Sequence, residues 1–517
     1  MKKLPIGIQS FRKLMGADCL YVDKTEILQK LVENGSWYFL SRPRRFGKSL
    51  TLSTLEAMFS GQTDLFKGLK AEQWVQKQAQ HPSPVLRFDI STRETGTSTI
   101  FYKALKTMLA RSSKMFDLVL TGDTVSDMFE ELIEKLYEQH GQVVVLIDEY
   151  DKPILDNLSD LSRANEMREV LRSFYTTLKS CDDYLRFVML TGISKFSKVE
   201  VFSAMNNLDD ISMDKRYGDM VGYTQQELEL FFDEWLNATA TDMEISREEF
   251  LARLKNYYDG FCFDGVSRLY NPFSILQCMG KGEFRNYWYD SGSPSFMVNW
   301  MKEHHIQDPE DYRHIVVNGN DFISVQEVEQ ADAASLLYQS GYLTIEKKED
   351  QLLTLDYPNK EVMNSLSSMY LKLIYRVKGY ALLGNEIWKA LRQGDIPEIV
   401  RLYNIAIAEI PYDDYAKNCN EFWYRSLFIM LLRGAGIISY SEPHTSKGRA
   451  DVVLQFQNLV IVLKFKFAKD SSEVEEKKRE GLEQLQERGY AKGYDAEGRK
   501  VISAVFVADN VNRQIVT

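Results

Sequence analysis

Trp37-Tyr-Phe-Leu-Ser-Arg-Pro-Arg-Arg-Phe-Gly-Lys-Ser-Leu-Thr51 opens on a short apolar run and passes through a Gly-Lys-Ser turn into a segment of helical character. Strand, turn and helix in that order make an anion cradle. Successive backbone N–H groups of the turn and the helix N-terminus converge on a phosphate, Lys48 can reach β- and γ-phosphates, and the Ser49 hydroxyl can hold Mg²⁺. Arg44, Arg45, Phe46, Gly47, Lys48, Ser49 and Leu50 are therefore candidate nucleotide-binding residues, with ATP and Mg²⁺ as expected cofactors. Arg42 stands where the full GxxxxGK[ST] pattern has its first glycine. The bare tripeptide is weak evidence, since a plain turn before a helix also produces it.

A second stretch sharpens the reading. Gln142-Val-Val-Val-Leu-Ile-Asp-Glu-Tyr-Asp151 is a continuous apolar run that ends in acids. Such runs belong to parallel sheets covered on both faces, where ligands bind beyond the carboxyl ends of the strands. Asp148 is thus expected beside Ser49 at a magnesium-bound water, and Glu149 where it can polarise the attacking water. A capped strand end with solvated acids is the plainer alternative. A third run, Tyr184-Leu-Arg-Phe-Val-Met-Leu-Thr-Gly-Ile193, also ends in polar residues and is followed by Ser194 and Lys195. In P-loop ATPases a polar residue at the end of the neighbouring strand contacts the γ-phosphate or the water, which makes Thr191 and Ser194 candidates. A cap or turn role serves Thr191 equally well.

The 517 residues suffice for about two to four domains with their own cores. Lys and Arg number 63 against 74 Asp and Glu, a net charge of −11, so nucleic-acid binding would need a local basic patch. Cys19, Cys181, Cys262, Cys278 and Cys419 are scattered without CxxC spacing, which argues for structural thiols in a reducing compartment. Met1-Lys-Lys-Leu-Pro-Ile-Gly7 has no apolar core of signal-peptide length, and nowhere do about 18 apolar residues run together. A soluble, cytoplasmic protein with no membrane partner is expected. The His304-His305 pair fits a surface helix end better than a metal site.

Residues 1–205 alternate strand and helix, with strands near 37–40, 85–90, 143–147 and 186–191. Met167, Val170, Leu171, Phe174, Tyr175 and Leu178 recur at helical spacing and read as core. In Tyr21-Val-Asp-Lys-Thr25, Thr25 or Asp23 is a reasonable helix cap, with Lys24 close to the nucleotide as the bolder alternative. Residues 206–310 read as a helical lid with a small hairpin around Tyr257–Pro272, and Gly222–Leu228 as a capped helix start. Residues 311–410 suit a winged-helix-like connector, with a helix ending at Gly341 and then a strand. Residues 411–517 run helix, hairpin, helix, strand, the order of a restriction-endonuclease-like α/β core. The fold class is therefore α/β: a three-layer P-loop NTPase domain, a lid and connector, and a nuclease-like domain.

These residues resemble a family of bacterial and archaeal proteins with an N-terminal AAA-ATPase-like domain and a C-terminal PD-(D/E)xK nuclease-superfamily domain. The resemblance covers nearly the whole chain. It rests on Tyr21–Thr25, Arg42–Ser49, Ile147–Asp151, Phe202-Ser-Ala-Met-Asn-Asn-Leu208, and Gly448-Arg-Ala-Asp451 with Lys464-Phe-Lys466. The first Walker A glycine is commonly replaced in that family. The resemblance implies a Mg²⁺-binding carboxylate at Asp451 and a catalytic lysine at Lys466, and it implies an acid at 464, where this chain has Lys464. Gln484 matches the family's helix glutamine.

With a strand period of two, residues 464 and 466 share a face, so the substitution puts a cation where a metal ligand belongs. A unit charge pair at about 4 Å is worth about 4 kcal/mol at an effective dielectric near 20, and a divalent ion doubles that. The expected consequence is an ATP-binding, ATP-hydrolysing protein controlling a nuclease-deficient domain. An ATP-gated Mg²⁺-dependent DNA or RNA nuclease using Glu421, Glu442 or another acid is a second reading, and a nucleotide-dependent, self-associating scaffold a third. Simple pairing of Asp451 with Lys466 across a hairpin is the structural alternative. Nucleic acid at the C-terminal domain and a second copy of the chain are the candidate partners beside ATP.

Overall fold

A computed structural model describes residues 1–91, 93–158, 160–194, 207–290, 312–319, 322, 333–411, 419–436, 444–445, 448–449, 451–456, 458–487 and 499–517. Lys195, His304, His305 and Glu442 lie outside the described residues. The chain forms two compact units that divide between Asn359 and Lys360.

The first unit is built on five strands, β1 (Trp37–Ser41), β2 (Val85–Asp89), β3 (Val143–Asp148), β4 (Leu185–Gly192) and β5 (Asp209–Asp210), in the order β2-β3-β4-β1-β5. Every neighbouring pair is parallel. β1 and β3 are buried at every position, as continuous apolar runs inside a covered parallel sheet must be. β4 lies between β1 and β3, so its carboxyl end stands between the Gly-Lys-Ser turn and the acids. The helix Leu161–Ser180 buries Met167, Leu171, Phe174, Tyr175 and Leu178, confirming that stripe as core.

Helices Gln225–Phe231, Asp233–Asp242, Arg247–Tyr258 and Pro272–Lys281 follow. Thr224 and Glu227 close a capping box on the first of these, the capped start expected there. Their core, including Leu228, Phe232, Phe250, Leu254 and Ile275, also takes in Leu20 and Val22 from the N-terminal segment. Phe261 and Leu269 pair antiparallel at the expected hairpin. An antiparallel sheet follows, of β6 (Ile315–Asn318) and, after a helix Ala333–Ser340, β7 (Thr344–Glu349) and β8 (Leu352–Asp356), ordered β6-β8-β7.

The second unit begins with helices Lys360–Met369, Tyr380–Gln393 and Ile396–Ala408. The segment expected as one connector over 311–410 therefore divides between the units. The reason is packing: the first two of these helices lie on the helix Glu421–Gly434, and the third on the last strand of the C-terminal sheet. After a short pair, β9 (His444–Thr445) and β10 (Gly448–Arg449), come β11 (Val452–Gln455), β12 (Leu459–Ala468), β13 (Lys500–Asp509) and β14 (Gln514–Val516), in that order across one sheet. β12 and β13 are parallel and the outer pairs antiparallel, with the helix Val474–Glu487 between β12 and β13 in sequence. Among the described residues, no helix is long and apolar enough to cross a membrane.

Candidate nucleotide site and a nuclease-like site

The Gly-Lys-Ser turn is held from both sides. Arg42 N–H donates to the Gly192 carbonyl at 3.1 Å, extending the β1–β4 ladder by one residue, and the helix begins at Lys48. Gly47 has φ +98° with open space where a Cβ would stand, a backbone state that only glycine adopts without strain. The buried Lys48 ammonium donates to the carbonyls of Arg42 (2.8 Å) and Pro43 (2.9 Å). Burial lowers the Lys48 pKa, while Glu149, Asp148 and Asp151 pull it upward. The glycine conformation, the lysine and the converging acids fit a magnesium–nucleotide triphosphate.

A cavity of about 380 Å³ opens on this turn, of the size that small ligands occupy. Arg44, Arg45, Phe46, Gly47, Lys48, Ser49 and Leu50 all line it, as does Glu149. The rest of its lining includes Pro5, Gly7, Ile8, Gln9, Tyr21, Gly222, Tyr223, Pro272 and Phe273. The sequence marks Tyr21, Gly222 and Pro272 only as motif, cap and turn positions and does not place them at the nucleotide, because distant segments meet there only in the fold. Within the turn, the buried Arg44 Nε has no hydrogen-bond partner among the described residues. Arg45 is exposed at φ +68°, its guanidinium 5.1 Å from the Phe273 ring centre. Phe46 buries its ring edge-on to Phe261 and Phe263, and its carbonyl accepts from Gly222 N–H at 3.1 Å.

Arg42, unlike Arg44 and Arg45, does not line the cavity. Its guanidinium is buried, donates to the carbonyls of Ser41 (2.9 Å) and Ser212 (2.5 Å), and lies 4.6 Å from the Phe263 ring centre. Lys24 lines the cavity, but its ammonium is spent on Glu227 (2.5 and 2.6 Å) and the Asp219 carbonyl (2.7 Å). Asp23 is the residue that caps the following helix, accepting from Thr25 N–H at 2.9 Å.

The acids form a layered arrangement. Asp148 is 2% exposed and accepts the Thr191 hydroxyl at 2.7 Å. Glu149 turns out at φ +50°, and burial raises its pKa against the pull of Lys48. Asp151, which reads in the sequence like another solvated acid, is 1% exposed. It accepts from Ile193 N–H (3.0 Å), Ser194 N–H (2.6 Å) and the Ser194 hydroxyl (2.7 Å), and burial raises its pKa. Thr191 and Ser194 thus hold acids in this structure and do not border the cavity. Gly192 permits this closeness, since a Cβ there would stand 2.4 Å from the Tyr150 ring.

In the second unit, Asp451 precedes β11 and faces β12, where Lys464 is the next residue in register after the Val452–Leu463 pair. The Lys464 ammonium donates to Asp451 Oδ1 at 2.8 Å and lies 3.9 Å from Glu421 Oε1. Phe465 N–H donates to the other Asp451 oxygen at 2.7 Å. Asp451 pairs with Lys464, which corrects the alternative of an Asp451–Lys466 pair. Burial raises the Glu421 pKa, and Lys464 works against that rise. An ammonium between two carboxylates occupies the place where a divalent ion would bind, so these residues do not fit a metal at Asp451. Lys466 is half-buried two residues further on.

Fold and sites together define a P-loop ATPase-like domain joined in one chain to a nuclease-like α/β domain. A family model described as a predicted AAA-ATPase matches residues 5–202, and one described as the PD-(D/E)XK nuclease superfamily matches residues 419–517. An "uncharacterized protein in vnfD 5'region" of Azotobacter chroococcum mcd 1 is 36% identical over 510 residues, covering 97% of this chain and 95% of that protein. The chain belongs to the family that couples a predicted AAA-ATPase domain to a PD-(D/E)XK nuclease-superfamily domain. Similar solved structures include the Aeropyrum pernix ORC2 protein in ADPNP-ADP complexes (TM-score 0.28, 11% identity, 67% of this chain and 91% of that one). The Aeropyrum pernix ORC1 protein in complex with DNA is similar at TM-score 0.24 and 12% identity, over 68% of this chain and 94% of that one. Likeness of that degree bears on neither site.

Proposed function

We propose that the first unit binds and hydrolyses ATP and that its nucleotide state controls a C-terminal domain that does not cleave nucleic acid. The observation that carries the first half is the convergence of Lys48, Ser49 and Glu149 on one cavity, with Asp148 held behind them by Thr191. Ser49 and Asp148 are the residues to hold the Mg²⁺ of the nucleotide, which when bound neutralises charge on the β- and γ-phosphate oxygens. Lys48 exchanges its bonds to the Arg42 and Pro43 carbonyls for phosphate oxygens. Arg44 adds a second cation from the same turn. Glu149, half-desolvated and facing the cavity, accepts a hydrogen bond from the attacking water and aligns it.

The absence of cleavage rests on Lys464. Its ammonium, unlike a metal ion, offers no coordination position at which water becomes hydroxide at neutral pH. Nucleic acid is nonetheless the ligand class that this domain's superfamily suggests, and a cytoplasmic setting accords with the scattered free thiols. Two measurements test the proposal. ATP affinity and turnover should both collapse in Lys48→Ala, and unchanged values would remove the assigned site. Plasmid and single-stranded nucleic acid incubated with Mg²⁺ or Mn²⁺ should stay intact. Cleavage that disappears in Asp451→Ala would establish a working nuclease instead.

A further inference from the structure

The misfit between Lys464 and a metal ion has a definite charge. A carboxylate at 464 together with one divalent cation carries a net single positive charge, and the Lys464 ammonium carries the same charge unaided. The side chain is fixed where that charge is useful. Asp451, anchored by Phe465 N–H, holds the ammonium at 2.8 Å, and Glu421 stands 3.9 Å away on the helix Glu421–Gly434. An ammonium has three donors, and among the described residues Lys464 makes this one hydrogen bond, leaving donors for a ligand oxygen. Lys466 lies on the same face of β12 and forms no ion pair or hydrogen bond among the described residues. Two cations on one strand face, one hydrogen-bonded to Asp451 and one drawn only by the more distant charges of Glu421 and Glu480, suit consecutive oxygens of a phosphodiester.

We infer that Lys464 and Lys466 hold a nucleic-acid phosphodiester without any divalent cation, so that the site binds and releases its ligand uncut. The inference rests on the proposed loss of nuclease activity and adds the ligand and its independence of metal. The net charge of −11 makes this a local contact, so the salt dependence should be shallow. About two phosphates neutralised gives a slope near −2 in log affinity against log salt.

Fluorescence anisotropy of the full chain with labelled duplex and single-stranded oligonucleotides, in EDTA and in millimolar Mg²⁺, tests this. Wild-type affinity should agree between the two conditions within about threefold, and the oligonucleotide should be recovered whole. Lys464→Glu should lose about tenfold or more in EDTA and recover on adding Mg²⁺ or Mn²⁺. Lys466→Met, which keeps the apolar stem of this half-buried side chain and removes its charge, should weaken binding in both conditions and reduce the salt slope by about 1. Wild-type binding that is absent, or that requires a divalent ion, overturns the inference, as does a Lys466→Met variant identical to wild type. Cleavage of the oligonucleotide by wild type would instead overturn the proposed nuclease deficiency, so the two failures are told apart by the integrity of the strand.

Discussion

Thr191 donates its hydroxyl to Asp148 at 2.7 Å, and both side chains are buried, so the carboxylate that closes β3 is oriented by the strand next to it. Replacing Thr191 by valine keeps the shape and removes the donor. A hydrogen bond to a charged group contributes about 1.5–3 kcal/mol, and Thr191→Val should lower stability by that amount in denaturant melts. ATP turnover should fall while nucleotide affinity stays near wild type, because the phosphate cradle is untouched. Unaltered turnover would separate Asp148 from the reaction.

Lys24 joins the N-terminal segment to the helix Gln225–Phe231 through Glu227 and the Asp219 carbonyl, with side-chain exposures of 12% and 20% for the ion pair. Lys24→Met leaves a part-buried Glu227 with only its capping-box bonds to Thr224, and losing the charged hydrogen bond should cost about 1.5–3 kcal/mol. Since the N-terminal segment and the residues 220–223 that precede this helix line the cavity, ATP should protect the variant less against thermal unfolding than it protects wild type. Equal protection would show that this latch plays no part in the nucleotide site.

Glu131 gathers the turn before its helix, accepting from Lys135 at 2.6 Å and from the backbone of Thr121 and Gly122 at 2.7 and 2.9 Å. The Lys135 hydrogen bond, with help from these amides, lowers its pKa from 4.5 to about 2. A depressed carboxylate stabilises above its unfolded pKa and loses that contribution as pH falls through the folded one. Wild type should therefore exceed Glu131→Gln in stability at neutral pH, and the gap should shrink from about pH 4.5 toward 2. A gap that does not change with pH would assign the effect to packing.

The parts of the fold that the sequence makes legible are those written in local pattern. The runs at Trp37, Val143 and Leu185 are continuous and apolar because β1, β3 and β4 are covered on both faces, and their polar ends mark the edge where the acids and the Gly-Lys-Ser turn meet. That a lysine replaces the acid at 464 is readable in the sequence, but its pairing with Asp451, in place of an Asp451–Lys466 pair, is set by the β11–β12 register. What escapes local pattern is set by distant partners. Arg42 reads only as a missing glycine until Ser212 and Phe263 enclose it, and Asp151 looks solvated until the chain at 193–194 folds over it. The segment 311–410 divides because its later helices find their partners in the helix Glu421–Gly434 and the last strand of the C-terminal sheet, which no window on 311–410 contains.

The central claim is that the amino-terminal Lys-Ser pair and the Asp-Glu pair serve one bound triphosphate, and Glu149→Gln addresses it most directly. The exchange preserves size and hydrogen bonding but removes the acceptor charge, so ATP affinity should persist within about threefold while turnover falls by about a hundredfold or more. Turnover in Glu149→Gln equal to that of wild type, at unchanged affinity, would contradict the account.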